Sequence, residues 1–198
     1  HCQAPISIQY PLVEALTALL VAASVWQFGF GWQGFGAIVL SCFLVALSGI
    51  DLRTQLLPDQ LTLPLMWLGL IGSIDSLYMP AKPALLGALV GYLSLWSVWW
   101  LFKQITGKEG MGHGDFKLLA ALGAWFGADF LIAIVLASSL VGALLGGGLL
   151  LAGRLAHKDI PISFGPFLAG AGLLCLVIGP DTLRAWAPFA FPLSALGH

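Results

Sequence analysis

Two aspartates, Asp51 and Asp115, lie where long apolar runs meet charged loops. Asp115 follows the glycine-dense stretch GMGHG at 110–114, which leads into another apolar run. A carboxylate beside the hydrocarbon of a membrane is costly, so each aspartate is a candidate functional residue. Two carboxyls held close together cannot both ionise cheaply, and the pair then shares one proton. The residue types predict acid–base chemistry, in which one aspartate activates water against an amide carbonyl and the other, protonated, serves the oxyanion and the leaving amine. Which aspartate has which role stays open.

The composition is that of a membrane protein. Of the 198 residues, 59% are hydrophobic and only 9% are charged, whereas soluble domains contain about 25% charged residues. The formal net charge is -1, and no basic patch indicates a nucleic-acid partner. We therefore expect an all-α, polytopic helical protein that has the lipid bilayer as its surroundings.

Apolar segments divide the chain into about seven candidate transmembrane helices. They lie at 12–28, 35–51, 61–79, 84–102, 115–128, 130–152 and 162–179. A span needs about 20 residues, so segment 115–128 is short and draws Asp115 towards the membrane boundary. The tail 181–198 is apolar but contains two prolines, and both an interfacial helix and a partial eighth span stay open for it.

Lysines and arginines predict the orientation. If the N-terminus is cytoplasmic, most basic residues fall in cytoplasmic loops: Arg53, Lys103, Lys108, Lys117, Arg154 and Lys158. Only Lys82 and Arg184 then lie on the other side. This asymmetry satisfies the positive-inside rule, which places Asp51 and Asp115 at the cytoplasmic face.

Glycines have two predicted uses. Gly112 and Gly114 remove side chains where the backbone bends sharply or where an extended substrate lies close to Asp115. The alternative is a loop that ends in an ordinary helix N-cap. Glycines four residues apart, at 87/91 and 142/146, are expected to let neighbouring helices approach closely.

Four other polar residues are weaker site candidates. Asp59 is expected to cap the N-terminus of the helix that it precedes. Glu14 either pairs with another helix or supports the active site. His113 either tunes Asp115 or is a solvated loop histidine. Lys117 either attracts an acidic residue of a substrate or extends towards the lipid headgroups.

Longer motifs surround both aspartates: DLRTQLLPDQLT at 51–62 and GMGHGDFKLLAALGAW at 110–125. Two shorter stretches, YPLVE at 10–14 and FGPF at 164–167, accompany them. Together these motifs resemble the prepilin peptidase family, the bacterial type IV leader peptidases, which are membrane aspartic proteases of the GxGD type. The resemblance covers nearly the whole chain.

The resemblance implies that Asp51 and Asp115 are the catalytic pair. Such enzymes cut the short basic leader from type IV prepilins and type II secretion pseudopilins, after a glycine, at the cytoplasmic face of the bacterial inner membrane. The cleavage itself needs no cofactor. Many members also methylate the new N-terminal amine with S-adenosylmethionine.

The start of the chain departs from the family pattern. Bacterial members usually have an extra N-terminal span and a cytoplasmic insert with two CxxC pairs. Here Cys2 resembles the last of those four cysteines, so we expect sequence upstream of His1 to be missing. We divide the chain into residues 1–10, a remnant of the insert, and residues 11–198, a transmembrane protease domain. His1 and Cys2 cannot supply the four ligands of a zinc site, and methylation, which is tied to the insert in the family, stays open.

Other function classes compete with a protease. A proton- or ion-coupled transporter would also use two membrane aspartates, but it would bury them near the bilayer midplane and show inverted repeats, and neither is visible. An inert remnant of the fold is the third class. The chain has no HExxH and no GxSxG, so metalloprotease and serine-protease chemistry are disfavoured.

Overall fold

The computed structural model describes residues 7–107, 112–151 and 163–179, together with 182, 183 and 185. Within them the chain forms seven helices: α1 (Gln9–Phe28), α2 (Trp32–Thr54), α3 (Asp59–Ile74), α4 (Ala81–Thr106), α5 (His113–Phe126), α6 (Ala128–Leu151) and α7 (Gly165–Ile178). Each helix overlaps one predicted apolar segment, so the all-α class is confirmed. Most of the tail 181–198 lies outside the described residues.

Four helices, α1, α2, α4 and α6, are long and apolar enough to cross a membrane. The other three have 14 to 16 residues, which is less than the length that a straight crossing requires. The chain is therefore a multi-pass membrane protein, but helix length alone does not fix the predicted number of seven spans.

The connections between α1 and α6 are short and make successive helices antiparallel, so both aspartates lie at one end of the bundle. This end, which we call the aspartate end, contains the C-termini of α2, α4 and α6 and the N-termini of α1, α3, α5 and α7. The start of α1 is fastened there by the Arg53 guanidinium, which donates to Gln9 Oε1 at 2.7 Å.

Helix α5 forms the centre of the bundle. Eleven of its 14 residues are buried, because it is apolar on every side and packs against α3, α4, α6 and α7. Its contact with α4 is made through backbone: Gly87 and Gly123 face each other so closely that a Cβ on either would collide with the other's carbonyl oxygen. The predicted close approach at 87/91 is confirmed. Gly142 on α6 instead contacts the ring of Phe167 on α7.

Candidate active site

Asp51 lies in the last turn of α2, which continues to Thr54, and its side chain is only 4% exposed. Leu40, Leu44 and Leu47 precede it along the same buried face of the helix. Residues at intervals of three and four share a helix face, so the apolar periodicity of α2 turns this carboxylate inwards.

The start of α7 surrounds Asp51. The Ser163 hydroxyl donates to the Asp51 carbonyl at 2.9 Å, and the Gln55 N–H donates to the same carbonyl at 2.8 Å. The Asp51 carboxyl also interacts with the backbone N–H of Gly165 and with Ser163. Free N–H groups at a helix start favour a nearby negative charge. One oxygen, Oδ2, is buried without a hydrogen-bond partner in the described part of the chain.

Gly165 fits between Asp51 and the turn that follows α2. A Cβ at this position would lie 2.5 Å from Asp51 Oδ2 and 3.1 Å from Leu57 Cδ1. Sequence reasoning did not single out Ser163, Gly165 or Leu57 as site residues. The only signal was the FGPF stretch, in which a glycine and a proline begin a helix.

Asp115 enters the site from another direction. It lies in the first turn of the short helix α5, outside the four long helices, and is 7% exposed. Burial, and secondarily the negative charge of Asp51, raise the pKa of Asp115 to about 7. Asp51 thus lies close enough to affect its titration, and the fold brings together two carboxyls that are far apart in sequence.

The two motif glycines have different environments. Gly112 is the N-cap residue of α5, with an extended backbone that any residue adopts, and its nearest neighbour is Asp115 Oδ2. A Cβ at Gly112 would lie 3.9 Å from Asp115 Oδ2 and meet no other side chain or backbone of the described residues within that distance, so there is space beside the carboxyl. Gly114 is tightly packed, since a Cβ there would lie 2.6 Å from Leu57 Cβ. The helix begins without a side-chain cap, so Asp115 is not an N-cap.

Asp59 and Lys117 form an ion pair, and the structure corrects the expectation for Asp59. The N-cap of α3 is Pro58 and no side chain caps that helix, so the prediction of Asp59 as the cap is wrong. Its carboxylate instead accepts from Lys117 Nζ at 2.6 Å. Lys117 therefore has a counterion within the chain and joins the starts of α3 and α5.

His113 is exposed at the start of α5 and contacts two aromatic rings. Its ring centroid lies 4.8 Å from that of Trp99 and 5.4 Å from that of Phe116. Lys103 Nζ lies 4.8 Å from the Trp99 centroid on the other side. Trp99 is half-buried and packed against the start of α5.

Glu14 is exposed on α1 and forms no ion pair with another described residue. Its pairing with another helix and its support of the active site both stay predictions. Cys175 is buried, whereas Cys42 is exposed towards the groove between α1 and α2. Cys2 lies outside the described residues. Among the residues that are described, no group of three or more His, Cys, Asp or Glu side chains is placed to hold a metal ion.

The arrangement of Asp51 and Asp115 suits hydrolysis of an amide. A carboxyl whose pKa is about 7 retains its proton in roughly half of the molecules at neutral pH, and in those molecules the pair carries one proton. The ionised partner then accepts a proton from water, and the protonated partner donates one. An isolated surface aspartate is fully ionised at that pH and has no proton to donate.

Comparison with known proteins gives a family and named relatives. The profile of the Type IV leader peptidase family matches residues 38–147, and that of the Bacterial Peptidase A24 N-terminal domain matches residues 1–28. The chain is 71% identical over 187 residues to the prepilin leader peptidase/N-methyltransferase of Xanthomonas campestris pv. campestris, covering 94% of this chain and 64% of the relative.

Relatives with the same name follow in other bacteria. That of Aeromonas hydrophila is 54% identical, covering 93% of this chain and 63% of the relative. The relative from Pseudomonas aeruginosa is 53% identical, and the match covers 96% of this chain and 65% of the relative. The chain thus spans just under two thirds of the length of these relatives. No solved structure matches it.

Proposed function

Because the chain belongs to the type IV leader peptidase family, we propose that it is a membrane aspartic endopeptidase that removes the basic leader peptide from type IV prepilins or type II secretion pseudopilins. The supporting observation is the approach of two buried carboxyls, Asp51 at the end of α2 and Asp115 at the start of α5. The relatives' name, prepilin leader peptidase, supports the substrate class.

The proposed reaction uses one proton shared between the two carboxyls. The ionised aspartate accepts a proton from water as the water oxygen bonds to the scissile carbonyl carbon. The protonated aspartate gives its proton to the carbonyl oxygen, so a neutral tetrahedral intermediate forms. When the C–N bond breaks, the first aspartate returns its proton to the leaving nitrogen, and the intermediate's hydroxyl returns one to the second.

We place the active site at the cytoplasmic face of the bacterial inner membrane. Arg53, Lys103 and Lys117 lie at the aspartate end, while Lys82 lies at the other end of the described bundle. This distribution agrees with the positive-inside rule. The leader of the substrate would therefore approach the carboxyls from the cytoplasm.

Methylation of the new N-terminus is a second activity that the relatives' name supports. S-adenosylmethionine would supply the methyl group. We assign Asp51 and Asp115 to cleavage and no residue to methyl transfer.

The domain division extends this proposal. We assign the peptidase to residues 11–198 and regard residues 1–10 as the end of a cytoplasmic insert. The profile of the Bacterial Peptidase A24 N-terminal domain matches residues 1–10 and continues through α1 to residue 28. A zinc site would need ligands besides Cys2.

Cleavage of a prepilin tests the proposal. The chain is reconstituted in lipid and given a prepilin that has a basic leader, and the shortened product is measured by mass. Asp51→Asn and Asp115→Asn are each expected to reduce the rate at least about 10³-fold, because either change removes a proton acceptor or donor. A chelator is expected to leave cleavage intact, since two carboxyls and water suffice.

Asp75→Asn is the matched control, because Asp75 is exposed at the C-terminus of α3, at the opposite end of the bundle. It should cleave at the wild-type rate. If either site variant cleaves as fast as this control, the assignment of the pair is wrong. Cleavage by a chain of the relatives' full length, but not by these 198 residues, would show that the remaining third is required.

A further inference from the structure

Leu57 lies where the two aspartate-bearing helices and the start of α7 converge. It belongs to the turn between α2 and α3 and is half-buried against the core. A Cβ added at Gly114 would lie 2.6 Å from Leu57 Cβ, and a Cβ added at Gly165 would lie 3.1 Å from Leu57 Cδ1. Gly114 precedes Asp115, and Gly165 contacts the Asp51 carboxyl. One side chain therefore touches the backbone beside each carboxyl.

Backbone hydrogen bonds before and after Leu57 fix the conformation of the turn. Before it, Gln55 adopts a left-handed conformation with φ 54, and its N–H donates to the Asp51 carbonyl at 2.8 Å. After it, the Pro58 carbonyl accepts from Leu61 and Thr62 and thereby begins α3. The ion pair described above then joins the start of α3 to α5. The position of Leu57 is thus determined by the same elements that place the carboxyls.

We propose that Leu57 is a positioning residue that sets the separation of Asp51 and Asp115. Its side chain is a spacer between the starts of α5 and α7: Leu57 Cβ and backbone pack against Gly114, and Leu57 Cδ1 packs against Gly165. Truncation beyond Cβ would leave a cavity beside Gly165 into which the start of α7, and with it the surroundings of Asp51, would shift relative to α5, because packed interiors relax partly around lost volume. A displacement of about 1 Å between reacting groups costs on the order of 100-fold in rate.

This proposal rests on the proposed function for its kinetic test. Leu57→Ala is expected to lower kcat about 10- to 100-fold while KM changes less than about 3-fold, because the reacting groups move but the substrate surface stays. Leu57→Met, which nearly conserves volume, should restore kcat to within about 3-fold of wild type. Leu56→Ala is the matched control: the neighbouring side chain is 69% exposed, and its loss should leave kcat unchanged.

A second readout requires no substrate. The protonation of Asp115 is followed by the infrared carbonyl stretch of its protonated carboxyl, assigned with Asp115→Asn. Leu57→Ala should shift the midpoint of this titration, since both the burial of Asp115 and its distance from Asp51 change. Leu56→Ala and Leu57→Met should leave the midpoint in place. If Leu57→Ala does not fold, Leu57→Val, which removes one methylene, should give a smaller shift in the same direction.

The two readouts separate this proposal from the proposed function. If the wild type does not cleave but Leu57→Ala moves the midpoint, the spacer role stands and the peptidase assignment fails. If the midpoint for Leu57→Ala, or for Leu57→Val where that variant replaces it, equals that for Leu56→Ala, the spacer role is overturned whatever the rate of cleavage. A loss of kcat that Leu57→Met fails to restore also overturns it, because a volume-conserving side chain would then not substitute for leucine.

Discussion

At the scale of single residues, the proposed chemistry depends on one proton shared between Asp51 and Asp115. Asp51 on α2 is the charged group that acts on Asp115. Three others lie on the elements around it: Lys117 and Asp59, the pair that joins α5 to α3, and Lys103 on α4 over Trp99. Because Lys117 is paired with Asp59, burial and the charge of Asp51 dominate the titration. Both favour the protonated form of Asp115.

This electrostatic arrangement predicts a pH profile. The pKa of Asp115 is raised to about 7, so its proton is present below that pH and is lost as the pH rises through it. Cleavage should therefore fall on the alkaline side, and it should fall again in acid when the second carboxyl is protonated. Initial rates measured from about pH 5 to about pH 9 check this bell shape.

His113 provides the control for that profile, because it lies two residues before Asp115 and its ring contacts that of Phe116. His113→Gln should keep the alkaline fall in rate. A rate that stays constant or increases up to pH 9 would contradict the shared proton, and loss of the alkaline limb in His113→Gln would assign that limb to the histidine.

Among the helices, the packing of α5 in the bundle determines the position of Asp115. Helix α5 carries Asp115 at its first turn, and the rest of the helix is fixed by backbone contact with α4 through Gly87, Gly91 and Gly123. Small residues allow two helix backbones to approach closely, and the resulting van der Waals packing stabilises helix association in a membrane. Any change that separates α4 from α5 would also move Asp115.

Gly87→Ala tests that dependence. The new methyl group would collide with the Gly123 carbonyl, and overpacking of this kind costs about 1–3 kcal/mol. We expect a lower temperature of thermal unfolding in detergent and slower cleavage. Gly170→Ala on α7 is the matched control, because nothing lies within 4 Å of its added Cβ, and replacing a helical glycine there should be neutral or stabilising. Equal unfolding temperatures for the two variants would contradict the packing argument.

At the scale of the whole molecule, the antiparallel arrangement of helices predicts which residues share a membrane face. Leu56, exposed in the turn after α2, lies at the aspartate end, and Gly31, before α2, lies at the other end with open space around it. In a cysteine-free background, Leu56→Cys should react with a membrane-impermeant maleimide only after the cells are opened. Gly31→Cys should react in intact cells.

The opposite labelling pattern would place both carboxyls on the outer side of the membrane. That result would contradict the cytoplasmic cleavage of leader peptides while leaving the helix packing unchanged. Labelling of both positions in intact cells would instead indicate that α2 does not cross the membrane.

The number of helices in the described residues and the approximate ends of most of them could be predicted from the sequence alone. Apolar length, the spacing of small residues and the inward periodicity of α2 are local properties, so seven helices and the Gly87/Gly91 contact could be predicted from them. The two aspartates could be selected as candidates because carboxylates beside apolar runs are costly. Antiparallel connections then placed both at one end.

Only the tertiary structure decided what surrounds those carboxyls. Asp59 is of a residue type that often caps helices, but its carboxylate pairs with Lys117. Ser163 and Gly165 lie against Asp51, and Leu57 packs beside Gly165, although these residues come from separate parts of the chain. No local pattern encodes these contacts, because each depends on how closely two helices pack after the chain has folded. Sequence patterning fixes which residues face inwards, whereas the burial that shifts a proton onto Asp115 arises from the assembled bundle.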